Sequence, residues 1–558
     1  MSIPLPNLDD RRWADLVEEG RALIPLYAPA WTDHNAHDPG ITLIELLAWI
    51  AEMDIFQVNR VSDAHRRKFL ALVGIVPEPP QPARTVVAFT LRNGSKGLAL
   101  PATTELSGVD PAGRPTRFRT LEPLTVIPAA IEAVLCEDES GLHDVTAAWR
   151  RGGAIAAFGT VPTPGAALYV GLDGAVAPDD TLQVVVRVAG PRADADERRR
   201  LIEEAAAAAR GCIPPAFDPR CAPRPVVDPP DRPPPHHGAI TVWEVLAATP
   251  AGPAWRALEV DDDTRALTLD GRVRVRIPAA MARARIGRIE TTLHYLRCRF
   301  SGGAVDTPPL VAGLFLNAVE AEQSVPLAQR WTIAKRAVVP GPAPRRGARI
   351  LPRLRLDEEG QIAELRVDGG EERGGFTVLD HRPGWAAKDG TLALEAVFVG
   401  TGTGMPHQRM TLAEAPVEAA SFGLFTLEAD GWRTWDARAD FAASRRADAH
   451  FVLDPSAGTI AFGDGEAGRV PPTGAVVFAT GRTTRAEAGN LAVGRVDRLA
   501  DSIRNAMLFD DLAYVALQIA TVSNPVPAEG GRAAETIAHA IGRAIAAREA
   551  PARAVTAR

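Results

Sequence analysis

Four potential metal ligands, Asp33, His34, His37 and Asp38, lie close together directly before a long apolar stretch. Carboxylates and imidazoles at this density could bind zinc and activate a water molecule, which would make the chain a metal-dependent hydrolase. A zinc site needs three or four ligands held by supporting hydrogen bonds, and no CxxC, HExxH or second His/Asp cluster occurs elsewhere. Alternatively, Asp33, His34 and Asn35 hydrogen-bond the loop backbone and the adjoining helix end. We favour this second interpretation and predict no metal ligand.

Two glycine-rich segments could also bind ligands. The segment GTGTG at 400–404 has the small residues of a phosphate loop, but it leads into Met405-Pro406 and a strand rather than into a helix or a GK[ST] sequence. The segment FGDGE at 462–466 resembles part of a calcium loop but lacks the alternating oxygen ligands, so a tight β-turn at Asp464-Gly465 fits better. No catalytic motif stands out, and we predict neither catalytic residues nor a cofactor.

The helix that must position the Asp33 to Asp38 segment begins directly after it. Asp38 is a good N-cap, and Pro39 suits the first helical position because its φ is fixed and it needs no hydrogen-bond acceptor. Apolar residues then fill most of the helix circumference, with Glu45 and Glu52 on one polar seam. This composition predicts a helix that is buried on nearly all sides.

Composition excludes several classes of protein. The 558 residues are too many for one core, and 48 Gly with 47 Pro indicate many turns between short strands. A formal charge of -7 gives no field for phosphate contacts, so nucleic-acid binding is not expected. The sequence shows neither a secretory signal nor an apolar run long enough for membrane insertion. Its cysteines lie far apart, which predicts reduced thiols at Cys136, Cys212, Cys221 and Cys298.

The periodicity of apolar residues predicts a multidomain α+β protein with an N-terminal helical head, several β-rich sandwich-like modules and a C-terminal helix. Alternation of Val273 and Val275 with Arg272 and Arg274 is typical of a strand with one buried face. Residues 194–210 favour a helix by propensity. The predicted domains are a helical domain at 1–76, a β-rich domain with a helical insertion at 83–211, a Pro-rich linker at 212–238, β-rich domains at 239–400 and 401–500, and a C-terminal assembly segment at 501–558.

The C-terminal helix carries an apolar stripe of Ile537, Ala538, Ile541 and Ile545 on one face. An apolar stripe of this kind needs a partner surface to cover it. We therefore predict that this stripe contacts a partner.

The chain resembles the baseplate assembly proteins of contractile injection systems, which belong with the baseplate J-like wedge proteins of contractile phage tails. The resemblance is carried by WTDHNAHDPGITLIELLAWIAEM, KFLALVGI, YLRCRF, GTGMPHQ, FGDGEAGRVPPTGA, AGNLAVG and NPVPAEGGRAAET, and so extends over nearly the whole chain. Two features depart from the family pattern. Ala36-His37-Asp38 replaces the usual SDPG-like sequence, and the chain ends where that pattern usually continues.

This resemblance implies a non-enzymatic structural subunit that links its neighbours into the baseplate ring around the hub and spike and relays triggering to sheath contraction. The implied partners are a second wedge protein, neighbouring wedge copies, the hub or spike and sheath-proximal baseplate proteins. It implies assembly in the cytoplasm and allows release of the mature particle outside the cell. The implied N-terminal structural signature is Trp31, Asp33, His34, Asn35, Asp38, Pro39, Gly40, Glu45, Glu52, Asn59 and Phe69. The implied β-turn signature is Phe462, Gly463, Asp464, Gly465, Gly468, Pro471, Gly474, Gly489 and Asn490. The alternatives are the metal-dependent hydrolase and a free-standing β-sandwich binding protein.

Overall fold

The structure is a computed structural model that describes residues 9–33, 35, 37–59, 63–189, 238–303, 305, 308–338, 344–367, 375–382 and 390–549. The predicted helix at 194–210 and the predicted linker at 212–238, apart from residue 238, lie outside these residues. The described residues form two compact units. Unit 1 contains those up to Pro79 together with those from Ala534 onward, and unit 2 contains those from Pro80 to Ala533.

The helices lie mostly towards the two ends of the chain. They are α1 (Trp13–Tyr27), α2 (Pro39–Asn59), α3 (Asp63–Leu72), α4 (Thr146–Arg150), α5 (Ile503–Leu508), α6 (Leu512–Gln518) and α7 (Ile537–Glu549), with short 3-10 turns at Ala419–Ser421 and Ala486–Gly489. None of the helices in the described ranges combines the length and the apolar character needed to cross a membrane.

Strands occupy most of unit 2. The first part of the chain forms β1 (Arg84–Leu91), β2 (Leu98–Leu100), β3 (Glu105–Val109), β4 (Pro115–Thr120), β5 (Leu124–Val126), β6 (Ile131–Asp138), β7 (Gly141–Asp144), β8 (Ile155–Ala156), β9 (Ala167–Leu172) and β10 (Thr181–Val188). The middle forms β11 (Ile240–Thr249), β12 (Gly252–Ala257), β13 (Val260–Asp262), β14 (Gly271–Arg276), β15 (Arg283–Ala284), β16 (Leu293–Gly302), β17 (Leu310–Leu316), β18 (Ala318–Glu322), β19 (Val325–Pro326) and β20 (Gln329–Val338).

The remaining strands follow after residue 348. They are β21 (Arg349–Ile350), β22 (Arg353–Leu356), β23 (Ile362–Arg366), β24 (Phe376–Arg382), β25 (Thr391–Leu394), β26 (Val397–Thr401), β27 (Arg409–Thr411), β28 (Gly423–Glu428), β29 (Gly431–Ala437), β30 (His450–Asp454), β31 (Thr459–Phe462), β32 (Val476–Thr480), β33 (Arg482–Thr483), β34 (Val496–Leu499) and β35 (Ile519–Ser523). The prediction of a multidomain α+β fold with helices at both ends is confirmed.

The sheets combine strands from distant parts of the chain. Sheet 1 has the order β34-β3-β4-β18-β1-β35, sheet 2 the order β13-β14-β10-β17-β8, and sheet 3 the order β12-β11-β16-β9-β6-β7 with β15 on β16. Sheet 4 has the order β21-β24-β25-β20-β23-β22, and sheet 5 the order β26-β32-β28-β29-β30-β31-β27. Sheets 2 and 3 therefore pair strands from both sides of residue 239, where the sequence predicted the start of a separate domain. The domain boundaries stated above remain a prediction.

Sheets 2 and 3 pack face to face as a sandwich, because their alternating apolar side chains form one core cluster. Val273 and Val275 of β14 are each 1% exposed within it, as the alternation predicted. Arg272 on the opposite face is not simply solvated, since its Nε donates to Asp263 Oδ2 at 2.9 Å.

Two buried cysteines lie in the same sandwich. Cys136 and Cys298 are free thiols, and burial raises the pKa of Cys136 to about 12, with a further contribution from the charge of Asp138. Thiolate formation is therefore suppressed at neutral pH, and these thiols are poor nucleophiles. Cys212 and Cys221 lie outside the described residues.

Asn317 joins segments that are far apart in sequence. Its Nδ2 donates to the Ile127 carbonyl at 2.8 Å, and its Oδ1 accepts from the Ile127 N–H at 2.9 Å. The residue is 3% exposed and has a φ of 53°, a left-handed conformation that Asn tolerates better than most residues. The amide thus satisfies two backbone groups that would otherwise be buried without partners.

Asn505 and Asn524 act in the same way in sheet 1. Asn505 Oδ1 accepts from the Glu105 N–H at 2.8 Å, and Asn505 Nδ2 donates to the Glu105 carbonyl at 2.7 Å. Asn524 accepts from the Val496 N–H at 2.9 Å and donates to the Ala492 carbonyl at 3.0 Å. Both asparagines are completely buried, so they fix the C-terminal strand and helices of unit 2 to the sheet.

Candidate interaction surface

In unit 1, α1 and α2 pack closely because small residues face large ones. A Cβ on Gly20 would lie 2.8 Å from Ile44 Cγ2, so glycine lets the two helices approach. The indole Nε1 of Trp13 donates to the Glu45 carbonyl at 2.9 Å. This contact fixes the register of α1 against α2.

The segment before α2 is held by its own side chains. Asp38 Oδ1 accepts from the Gly40 N–H at 2.6 Å, and Trp31 Nε1 donates to Asp38 Oδ2 at 3.2 Å. A Cβ on Gly40 would lie 2.5 Å from the Trp31 ring, so a glycine at this position lets the indole pack on the first turn. The helix begins at Pro39, where the sequence placed it.

Two of the four candidate metal ligands have other partners. Asp33 accepts a hydrogen bond from the Asn35 amide, and Asp38 is engaged by Gly40 and Trp31. Within the described residues, no group of three or more His, Cys, Asp or Glu side chains is placed to hold a metal ion. His34 lies outside those residues.

The expectation that α2 is buried on nearly all sides is wrong for the single chain. Only Ile41 and Ala48 are buried, on the side that also carries the half-buried Glu45 and Glu52. The opposite side, which we call the outer face, is exposed and consists of Leu43 (59% exposed), Leu46 (49%), Leu47 (63%), Ile50 (44%) and Met53 (46%). The sequence showed that this side is apolar, but it could not show that the described part of the chain leaves these side chains exposed.

Exposed apolar side chains are concentrated in this unit. Of the twenty-four large apolar side chains that are exposed among the described residues, sixteen lie between Trp13 and Val76. Large exposed apolar patches on soluble proteins commonly mark sites that bind a partner, and a high density of exposed apolar side chains favours such a site here. Phe69 of the N-terminal signature is one of the sixteen, at 59% exposed. Asn59 instead has a structural contact, since its Nδ2 donates to the Asp9 carbonyl at 2.6 Å.

The C-terminal helix α7 belongs to unit 1 and packs against α3. Ala540 is completely buried, and Ile537 and Ile541 are half-buried, while Ala538 and Ile545 are exposed. Part of the predicted apolar stripe is therefore covered within the chain. Its contact with another protein remains a prediction.

An ion pair holds the start of α7. Arg543 Nη2 donates to Glu535 Oε2 at 2.7 Å and also to the Val76 carbonyl at 3.0 Å. Glu535 accepts from the Glu78 N–H at 3.0 Å, and its side chain is only 6% exposed. These hydrogen bonds, that from Arg543 first, lower the pKa of Glu535 from its ordinary value of 4.5 to about 2.

Glu535→Gln is expected to lower the melting temperature of unit 1 at neutral pH, because the ionised carboxylate of the folded state is lost. A carboxyl group whose pKa is lower in the folded state than in the unfolded state stabilises the fold at pH values above the unfolded pKa. The stability that Glu535 contributes should therefore disappear as the pH falls from about 4.5 to about 2. Differential scanning calorimetry from pH 6 to pH 2.5 measures the difference between wild type and variant. A difference that stays constant over this range would contradict the assignment, and the exposed Glu414→Gln serves as the matched control.

The predicted tight turn at Asp464-Gly465, part of the β-turn signature, lies in a longer loop and does not directly join two strands. β31 ends at Phe462 and the next strand begins at Val476, so no strand directly follows the turn. Asp464 Oδ1 accepts from the N–H groups of Glu466 and Ala467 at 2.8 and 2.7 Å, and these bonds lower the pKa of the carboxyl. The carboxylate itself shapes this loop.

The other members of this signature have packing or backbone roles. Phe462 and Pro471 are buried, and a Cβ on Gly463 would lie 2.4 Å from the Ala467 carbonyl. Asn490 Nδ2 donates to the Gly531 carbonyl at 2.9 Å, and its Oδ1 accepts from the Gly531 N–H at 2.9 Å. The remaining glycines adopt positive φ or lie buried: Gly465, Gly468, Gly474 and Gly489.

The GTGTG segment already uses its backbone amides. The Gly402 N–H donates to the Ala475 carbonyl at 2.7 Å, and the Thr403 N–H to Gln408 Oε1 at 2.9 Å. The Gly404 N–H donates to the Pro471 carbonyl at 3.2 Å. A phosphate would have to displace these bonds, so the segment is not organised as an anion cradle.

One contact combines the residue types of a catalytic triad on the β6–β7 turn. Ser140 Oγ lies 2.8 Å from His143 Nε2 and donates to Asp138 Oδ1 at 2.5 Å. Both Ser140 and Asp138 face the same imidazole nitrogen, whereas a triad places the hydroxyl and the carboxylate on opposite nitrogens. The side chains are exposed, and we interpret them as a turn-stabilising network.

Comparisons with known proteins found no matching family profile and no matching curated protein. A chain in the structure of the type VI secretion system TssK-TssF-TssG baseplate subcomplex aligns over 79% of this chain and 68% of its own length, with 11% identity and a TM-score of 0.33. A chain of the anti-feeding prophage baseplate aligns over 34% of this chain and 37% of its own, with 21% identity and a TM-score of 0.16. At these TM-scores neither alignment establishes a shared fold.

Proposed function

We propose that this chain is a structural wedge subunit in the baseplate of a phage-tail-like contractile injection system. The observation that carries the proposal is the exposed apolar surface of unit 1, centred on the outer face of α2. An apolar helix face that the described residues leave exposed is typical of subunits whose surface becomes buried on assembly. The sequence motifs of the baseplate family, which include this helix, support the same role.

In this role the chain acts through its interfaces. It links a second wedge protein, neighbouring wedge copies, the hub or spike and sheath-proximal proteins into a ring that assembles in the cytoplasm. The ring must first hold its subunits together and then open. The closed and open packing arrangements must therefore differ in free energy by only a few kcal/mol per subunit, so that a contact at the spike can shift the equilibrium between them. We propose that this shift is relayed to sheath contraction.

The test is affinity purification of the tagged full-length chain from its native host, followed by mass spectrometry and negative-stain microscopy. We expect sheath, tube and spike proteins to co-purify with ring or needle particles. A monodisperse chain with stoichiometric bound metal would refute the proposal and favour the hydrolase alternative.

A further inference from the structure

A polar pocket lies within unit 2, where sheets 1 and 4 approach the start of α5. Its volume is about 500 Å³, and Glu105 of β3 lines it. The Glu105 side chain is only 4% exposed, so the pocket is lined in part by a buried carboxyl group. We call this the Glu105 pocket.

The Glu105 carboxylate lacks a full set of partners. Among the described residues no group donates a hydrogen bond to its buried Oε2, although Arg117 Nη1 lies 3.8 Å from that oxygen and the Ser502 hydroxyl interacts with the carboxyl group. A buried carboxylate with few donors is costly, because folding removes the water that hydrates it. A cation in the pocket would be attracted to this carboxylate and would favour its ionised form.

The charges around the pocket favour a cation. Glu395 is paired with Arg504 at 2.9 Å, and Arg504 also donates to Thr103 Oγ1 at 2.9 Å. Two further carboxylates, Glu414 and Asp501, line the pocket and are exposed. The lining thus carries four carboxyl groups, including Glu105, against the guanidinium groups of Arg117 and Arg504.

A larger cleft of about 930 Å³ in unit 2 does not have this imbalance. Arg187 Nη1 lies 2.8 Å from Asp270 Oδ2, and Arg272 contacts both Glu122 and Asp263. These charges neutralise one another inside the cleft. The Glu105 pocket therefore offers the stronger attraction for a charged guest.

The walls of the pocket select the kind of cation. Pro326, Leu327, Phe398 and Leu412 contribute apolar side chains to the lining of the same pocket. No group of His, Cys, Asp and Glu side chains among the described residues is placed to hold a metal ion, so a metal cation is not favoured. An arginine side chain suits this lining better, because it combines an apolar stem with a planar donor group that pairs with a carboxylate. Phe398 also lines the pocket, and an aromatic ring attracts a guanidinium that lies over its face.

We propose that the Glu105 pocket receives an arginine side chain of a partner chain. This proposal depends on the proposed assembly function in one respect, which is that the arginine belongs to a protein partner. Binding to the pocket itself can be measured on the isolated chain.

The probe is the peptide acetyl-Gly-Ala-Arg-Ala-Gly-amide, titrated into the full-length chain by isothermal titration calorimetry. The control peptide replaces arginine with citrulline, which keeps the shape but removes the charge. We expect the arginine peptide to bind at least tenfold more tightly. Equal affinities would overturn the proposal.

Glu105→Gln is the matched variant, because it keeps the side-chain shape and leaves the backbone bonds to Asn505 in place. We expect at least a tenfold loss of affinity with an unchanged melting temperature. The double variant Glu414→Gln, Asp501→Asn changes only exposed side chains and should weaken binding about threefold at low salt. Wild-type affinity in both variants would overturn the proposal.

Proton release gives an independent readout. Burial raises the pKa of Glu105, although the Ser502 hydroxyl and the charges of Arg117 and Arg504 oppose this effect, and Glu395 adds to it. A bound guanidinium favours the ionised carboxylate, so binding should release protons and strengthen from pH 5 to pH 7. Binding that weakens over this range would contradict the assignment.

Two further outcomes separate the possible sources of the guanidinium. If free arginine amide binds as tightly as the peptide, the pocket is a small-molecule site and the partner-chain proposal fails. If the peptide binds as expected but no baseplate proteins co-purify with the chain, the pocket assignment stands and the baseplate proposal fails.

Discussion

Replacing Leu43, Leu47 and Ile50 together by glutamine is expected to weaken association with the partner proteins by roughly 100-fold. Each side chain is about half exposed in the chain alone. Burying the exposed half of such a side chain contributes about 1 kcal/mol, so three side chains contribute about 3 kcal/mol. Glutamine keeps the helix propensity, and the melting temperature of the chain should not change.

The measurement is quantitative mass spectrometry of the proteins that co-purify with wild type and with the triple variant. The matched control is Val161→Gln, Met405→Gln and Val493→Gln, which removes exposed apolar side chains outside unit 1. The control should co-purify the same partners as wild type. If both triple variants behave like wild type, the outer face of α2 is not an assembly interface.

The second large effect is expected at Asn317. Asn317→Ala removes both hydrogen bonds to Ile127 and leaves a buried N–H and a buried carbonyl without partners, at about 1 to 3 kcal/mol each. The free energy of unfolding of the sandwich should fall by about 4 kcal/mol. Ile127 and Trp243 belong to the same core cluster, so urea denaturation followed by tryptophan fluorescence reports this transition.

Asn317→Gly separates the hydrogen bonds from the backbone conformation. At a φ of 53°, alanine has a steric strain that glycine lacks. Asn317→Gly should therefore lower the free energy of unfolding by about 1 kcal/mol less than Asn317→Ala does. The exposed turn substitution Asn93→Ala should change the free energy of unfolding by less than about 0.5 kcal/mol. A small effect of Asn317→Ala would show that water replaces the lost amide.

Local features of the fold followed directly from the sequence. Asp38 and Pro39 marked the start of α2, and the alternation around Val273 marked a strand with one buried face. Such features depend on neighbouring residues, whose backbone preferences and periodicity are present in the sequence itself.

The Asp464 loop shows where local reasoning fails. Asp-Gly between apolar segments predicted a tight β-turn with a strand on either side, because that dipeptide suits a two-residue turn. The structure instead pairs β31 with β27 and β30. Strand partners depend on the whole sheet, and the dipeptide carries no information about them.

The sequence by itself determined the fold class, the helical head and the apolar character of α2, since each depends on composition and short-range periodicity. Only the tertiary structure decided which side of α2 stays exposed, because that depends on what the rest of the chain covers. It also decided that Asn505 reaches Glu105 across 400 positions and that the Glu105 carboxyl lies in a pocket with Arg117 and Arg504. Residues so distant in sequence become neighbours only when the whole chain has folded, so no local pattern could have indicated these contacts.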